Sequence, residues 1–216
     1  TTLFRSGVPY SDPVMDGLVI QRATELALEN GFKLPALFEV LRQVSSRVTT
    51  PLLVMTYWNP VLSYGVENFA RDLKAAGGAG LITPDLIPDE AGEWLSASDK
   101  HELDRVFLAA PTSSSARVAR ACELSRGFVY AVSTMGITGT RDSVDDLAKQ
   151  VVASVRHESS SQNTAVGIGI SSAAQVDDVN SYADGAIVGS AFVRAYAEGG
   201  IAALTSKVQE LAANLK

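Results

Sequence analysis

Ala165-Val166-Gly167-Ile168-Gly169-Ile170 and Gly185-Ala186-Ile187-Val188-Gly189-Ser190 are the stretches that decide the fold. Each is a short, almost continuously apolar run that ends in a glycine-bearing turn. A half-wet antiparallel strand would alternate polar and apolar residues. A run apolar at nearly every position suits a parallel strand covered on both faces. The pattern recurs outward along the chain at Leu52-Leu53-Val54-Met55-Thr56-Tyr57, Gly80-Leu81-Ile82-Thr83, Arg105-Val106-Phe107-Leu108-Ala109 and Phe128-Val129-Tyr130-Ala131-Val132.

Helical periodicity fills the intervals. Val66, Phe69, Ala70 and Leu73 recur at spacings of three and four before the Gly77-Gly78 stop. Ser143-Val144-Asp145-Asp146 reads as a capping box ahead of Leu147, Val151, Val152 and Val155. Ala202 to Leu215 closes the chain as a helix. Before Leu52 there is helical material, at Val19 to Glu29 and Leu37 to Val44, and no clear strand. Strand–helix alternation with short connections predicts right-handed βα units on a parallel sheet in sequential order. The strand spacing is that of a (βα)₈ barrel, whose usual length is about 250 residues. The pattern leaves two architectures open: a doubly wound sheet, or a barrel whose first two strands are missing or unrecognised. Residues 1–216 are read as a single domain, with residues 1–6 unmatched.

The chain has 216 residues, 24 acidic and 18 basic side chains, and a net charge of -6; 46% is hydrophobic and 19% charged. Such a chain can bury a large core, which excludes a disordered tail or coiled coil. The acidic balance argues against a nucleic-acid partner, which would require a basic stripe. No apolar run reaches the roughly 20 residues needed to span a bilayer. With a single cysteine, Cys122, and two histidines, His101 and His157, disulfides and Cys- or His-based metal centres are poorly supplied. Cys122 reads as a small buried hydrophobe and both histidines as solvated. The composition is that of a soluble, cytoplasmic protein.

In βα proteins ligands bind at the carboxyl ends of strands. Three glycine-bearing turns fall there: Thr138-Gly139, Gly167-Ile168-Gly169-Ile170-Ser171 and Gly189-Ser190. Glycine lets backbone N–H groups approach an anion, and a helix N-terminus adds a favourable dipole; the same glycines also serve plain tight turns. Gly7-Val8-Pro9-Tyr10-Ser11-Asp12-Pro13-Val14-Met15-Asp16-Gly17 is a stiff loop with two carboxylates. Asp12 and Asp16 suit acid/base or electrostatic work, or cap the turn before Val19. Met55-Thr56-Tyr57-Trp58-Asn59-Pro60 sets two aromatics at a strand end, suited to an aromatic ligand or to the core. Tyr130 faces either the strand-end mouth or the core.

Together these motifs resemble the tryptophan synthase alpha chain family, in its actinobacterial form. The matching segments run in family order from Gly7-Val8-Pro9-Tyr10-Ser11-Asp12-Pro13 through Val54-Met55-Thr56-Tyr57-Trp58-Asn59-Pro60 and Ile82-Thr83-Pro84-Asp85-Leu86. They continue with Ser133-Thr134-Met135-Gly136-Ile137-Thr138-Gly139, Gly167-Ile168-Gly169-Ile170-Ser171 and Asp184-Gly185-Ala186-Ile187-Val188-Gly189-Ser190-Ala191. The resemblance implies a (βα)₈ barrel and a lyase that cleaves indole-3-glycerol phosphate to indole and glyceraldehyde 3-phosphate. It implies Asp16 as the catalytic aspartate on the indole N–H. Gly139, Gly169, Gly189 and Ser190 would hold the phosphate, and Tyr57, Tyr130 and Thr138 would line or close the pocket. It places Asp12 and Pro13 in the loop that meets a beta chain within an alpha2beta2 assembly. The alpha chain has no cofactor of its own; pyridoxal phosphate belongs to the beta chain.

Two departures bear on activity. The family's catalytic glutamate falls at Arg5, and arginine does not accept a proton at neutral pH. Residues 1–6 match nothing in the family and read as a remnant or truncation, with the first strand, first helix and most of the second strand absent. The expectation is very weak cleavage, not rescued by Arg5→Glu unless a strand forms there to hold the side chain. The rival readings are a non-catalytic barrel fragment that binds phosphate or docks on a beta chain, and a different phosphate-binding barrel lyase. The Pro-Tyr-Ser-Asp-Pro loop speaks against the last.

Overall fold

The computed structural model describes residues 4–132, 141–167 and 169–213. The chain divides into two compact units. The first comprises residues 1–14, 24–108 and 123–127; the second comprises 15–23, 109–122 and 128–216.

The first unit is built on the sheet β1 (Phe4–Gly7), β2 (Leu52–Met55), β3 (Gly80–Ile82) and β4 (Asp104–Val106), in that spatial order and all parallel. The first helix, α1 (Leu18–Glu29), enters it at Thr24, and α2 (Pro35–Ser45) leads to β2. α3 (Trp58–Tyr64) and α4 (Val66–Ala75) connect β2 to β3, and α5 (Gly92–Lys100) connects β3 to β4. Leu52, Leu53, Val54, Leu81 and Ile82 are buried, as continuous apolar strands require. The helices cover them with Phe38, Phe69, Leu73 and Trp94; Phe69 and Trp94 are fully enclosed.

β1 corrects the reading that no strand precedes Leu52. Phe4-Arg5-Ser6-Gly7 has no apolar run, so its own sequence carries no strand signal. It is held by its neighbour instead: Phe4, Arg5, Ser6 and Gly7 register against Leu52, Leu53, Val54 and Met55, and the Val8 N–H donates to the Met55 carbonyl at 3.0 Å. The Arg5 guanidinium also meets Met55 Sδ at 3.2 Å. A second charged strand residue, Arg105, is buried at 7% exposure. It donates through Nε to the Leu124 carbonyl at 2.7 Å and through Nη1 to Ser98 Oγ at 2.9 Å and to the Asp99 carboxylate. That network clamps the end of α5 to the segment 123–127.

The second unit carries the sheet β5 (Leu108–Ala109), β6 (Val129–Val132), β7 (Thr164–Gly167) and β8 (Gly185–Ala186), again in sequential order, with β5 in this unit from Ala109 onward. The pairs β6–β7 and β7–β8 are parallel. Its helices are α6 (Ser115–Leu124), α7 (Arg141–Glu158), α8 (Ala173–Asn180) and α9 (Ser190–Ala212). Val129, Ala131 and Val166 form one cluster with Val118 of α6, Val151 and Val155 of α7, Val176 of α8 and Leu211 of α9. Cys122 is buried in that cluster, and its burial raises the thiol pKa.

Three further expectations are corrected. The run Arg105 to Ala109 is two strands, β4 and β5, separated by Phe107. Ser143 lies within α7 (Arg141–Glu158), not ahead of it. The helix expected from Ala202 is the second half of α9, which Gly199 and Gly200 break, with Gly200 at φ 61°. His101 is not solvated: its ring is 18% exposed and its Nε2 lies 2.8 Å from Glu67 Oε1. Lys100 and then His101 hold the Glu67 carboxyl below its usual range. Among the described residues no helix is long and apolar enough to cross a membrane.

Candidate active site

In the second unit, two of the glycine turns follow neighbouring parallel strands. Gly169 lies just past the end of β7 with φ +72°, and a Cβ there would meet nothing within 4 Å. The left-handed backbone, not crowding, calls for glycine. Gly189 caps α9. The Phe192 and Val193 N–H groups both bond to its carbonyl, at 3.0 and 3.2 Å. The N–H groups of Ser190 and Ala191 therefore precede the first intrahelical bonds, where a helix N-terminus presents donors and a positive dipole end. Because β7 and β8 run parallel, both turns lie at the same end of the sheet.

Tyr130 sits in β6, buried at 8% exposure. Gly167 makes room for it: a Cβ at that position would stand 2.2 Å from the Tyr130 hydroxyl oxygen and 2.8 Å from Cζ. The motif glycine nearest the strand therefore clears the phenol, while Gly169 shapes the turn. Asp16 is partly buried, and its carbonyl accepts the Gln21 side-chain amide at 2.6 Å across the start of α1. Beyond the turn, Ser172 caps α8 in a capping box with Gln175. Sequence reading passed over this box, although Ser-x-x-Gln is its ordinary signature. Thr138 and Gly139 lie outside the described residues.

In the first unit, Tyr57 is 5% exposed and is the N-cap residue of α3. Its ring lies 5.5 Å from that of Tyr10, tilted by 38°. The core alternative for this aromatic is thus satisfied within its own unit. Asp12 is exposed, with its Oδ2 accepting the Ser11 hydroxyl at 2.6 Å, and Pro13 is partly buried. Two residues given no role by sequence reading hold this loop region: Asn59, whose amide donates to the Tyr10 hydroxyl at 3.0 Å, and Asp85, whose carboxylate accepts the Trp58 N–H at 2.8 and 3.1 Å. Partial burial of the Asp85 carboxyl raises its pKa, opposed by that N–H, although the residue as a whole is exposed. Among the described residues no cluster of His, Cys, Asp and Glu forms a metal site.

Parallel βα units in sequential order, with glycine turns beyond their strands, define an α/β protein that binds its ligand at the carboxyl ends of the strands. A family model described as "Tryptophan synthase alpha chain" matches residues 2–216, which corrects the expectation that residues 1–6 match nothing in the family. The chain is 61% identical over 206 residues to the tryptophan synthase alpha chain of Leifsonia xyli subsp. xyli, covering 95% of this chain and 78% of that one. It is 55% identical over 210 residues to the Mycobacterium avium (strain 104) alpha chain, covering 97% and 77%. Among solved structures, the aminoacrylate-bound tryptophan synthase from M. tuberculosis superposes with a TM-score of 0.90 at 48% identity. That superposition covers 99% of this chain and 81% of the matched one. The chain belongs to the tryptophan synthase alpha chain family, and its fold is that family's (βα)₈ barrel.

Proposed function

We propose that this chain binds indole-3-glycerol phosphate and acts in its cleavage to indole and glyceraldehyde 3-phosphate, as the alpha partner of a pyridoxal-phosphate-bearing beta chain. The match to the family over residues 2–216 carries this reading. Members of the family are lyases acting on this substrate, and the alpha chain has no cofactor. The reading treats residues 1–216 as one barrel domain in the cytoplasm.

Each assigned role has a local basis. The N–H groups at Gly169, Gly189 and Ser190 suit a phosphate, since the turn and the α9 N-terminus follow adjacent strands; Gly139 and Thr138 are assigned by the resemblance alone. Tyr130 offers an apolar ring with a polar tip, suited to an indole. The Asp16 carboxylate would accept the indole N–H and steady the positive charge that develops on the ring when its C3 is protonated. Tyr57 is assigned by the resemblance as a lining residue, and Asp12 and Pro13 as contacts to the beta chain. Proton transfer is the weak point. The family's glutamate position is Arg5, and general acid/base catalysis contributes typically 10²–10⁴-fold. Substrate binding with slow turnover is the result.

A titration tests the phosphate site. Glycerol phosphate should bind the wild-type chain, and Gly189→Asp should abolish binding by placing bulk and like charge at the anion. Unchanged affinity in that variant would refute the site.

A further inference from the structure

We propose that Asp85 is a positioning residue for the loop that carries Asp12 and Pro13, acting across three successive strand-end loops of the first unit. This rests on the reading of that loop as the beta-chain contact. The chain of contacts starts at β3. Its end leads into Thr83-Pro84-Asp85, where the Asp85 carboxylate takes the Trp58 N–H through both oxygens, at 2.8 and 3.1 Å.

Trp58 is the first residue of α3, a helix of 7 residues that no side chain of its own N-cap residue caps. So short a helix has little stability of its own. A carboxylate on its first N–H is a charge-assisted bond at the positive end of the helix. Asp85, 27 positions further along the chain, supplies the cap that Tyr57 does not.

Fixing Trp58 fixes its neighbours on either side. Tyr57 is held with its ring 5.5 Å from that of Tyr10. Asn59 is held with its amide 3.0 Å from the Tyr10 hydroxyl. Tyr10 is thereby gripped at its face and at its tip, two residues before Asp12. The Val8 N–H on the Met55 carbonyl anchors the start of the same loop. The loop has no helix or strand of its own between Val8 and Gly17, so these contacts set its course.

The test uses the full chain as wild type, Asp85→Ala, Asp85→Asn, Tyr10→Phe and the Asp85→Ala/Tyr10→Phe double variant. Hydrogen exchange across residues 8–14 reads the loop directly. Affinity for a tryptophan synthase beta chain reads its consequence, with thermal melting as the control for folding. Asp85→Ala should speed exchange across the loop and weaken the beta-chain complex on the order of tenfold, which is about 1.4 kcal/mol. Asp85→Asn keeps an oxygen on the Trp58 N–H and should recover most of both. The double variant should lose little beyond Asp85→Ala, because both changes break one chain of contacts. If Asp85→Ala does not fold, Asp85→Asn and Tyr10→Phe still report on the loop.

Unchanged exchange at 8–14 beside a lowered melting point would overturn the proposal, leaving only a local cap on α3. Additive losses in the double variant would also overturn it. If the wild-type chain binds no beta chain, the partner reading fails, and the exchange measurement alone decides the role of Asp85.

Discussion

Gly167→Ala puts the assignment of Tyr130 to a direct test. The added Cβ would lie 2.2 Å from the Tyr130 hydroxyl oxygen, 2.8 Å from Cζ and 3.3 Å from Cε1, where ordinary contact begins at 3.4 Å. The hydroxyl must therefore retreat by about 1.2 Å, the difference between 3.4 and 2.2 Å. The atoms in the way are the tip of a side chain rather than backbone, so β6 and β7 keep their register and the ring tilts. Overpacking of this kind costs about 1–3 kcal/mol of stability. If the ring lines the indole site, a displacement of this size also lowers catalysis by about 10²-fold. Denaturant unfolding reads the first effect, and titration with indole-3-glycerol phosphate reads the disturbed site. In a Tyr130→Ala background, Gly167→Ala should cost no further stability, because the obstructing ring is gone. Wild-type substrate affinity in a measurably destabilised Gly167→Ala chain would refute the placement of Tyr130 in the site.

Two further outcomes follow from the Arg105 network. Arg105→Ala should destabilise the chain by about 3 kcal/mol, since it strips charged donors from the buried Leu124 carbonyl and Ser98 hydroxyl; a loss under about 1 kcal/mol in urea unfolding would contradict this. Asp99 has its pKa lowered by its bond to Arg105, so its contribution to stability is present above the ordinary carboxylate range and is lost as pH falls through the depressed folded value. Asp99→Asn should flatten that part of the acid-unfolding profile, and an unchanged profile would refute the linkage.

The strands that sequence reveals are those whose own side chains build the core. Leu52-Leu53-Val54 and Val129-Tyr130-Ala131-Val132 announce themselves because every position is buried. Phe4-Arg5-Ser6-Gly7 does not, because its strand state comes from the backbone ladder of β2. β8 is only half-buried at Gly185 and Ala186, yet its run is apolar and was legible all the same. The site residues were legible as motif positions, since glycine turns and a two-aspartate loop are unusual locally. The roles of Asp85, Asn59 and Tyr10 were not, because they arise from contacts between residues 27 and 49 positions apart. Thr138 and Gly139 fall outside the described residues and stay on the footing the sequence provides.

Strand β1 also changes what is expected of Arg5. The sequence made rescue by Arg5→Glu conditional on a strand forming there, and the register of Arg5 against Leu53 meets that condition. The most direct measurement is indole release from indole-3-glycerol phosphate, with a beta chain present, by the wild-type chain and by Arg5→Glu. The account predicts substrate binding in both, slow release by wild type, and a gain on the order of 10²-fold or more in Arg5→Glu. Rapid release by the wild-type chain, unchanged by Arg5→Glu, would contradict it, because another residue would then be moving the proton.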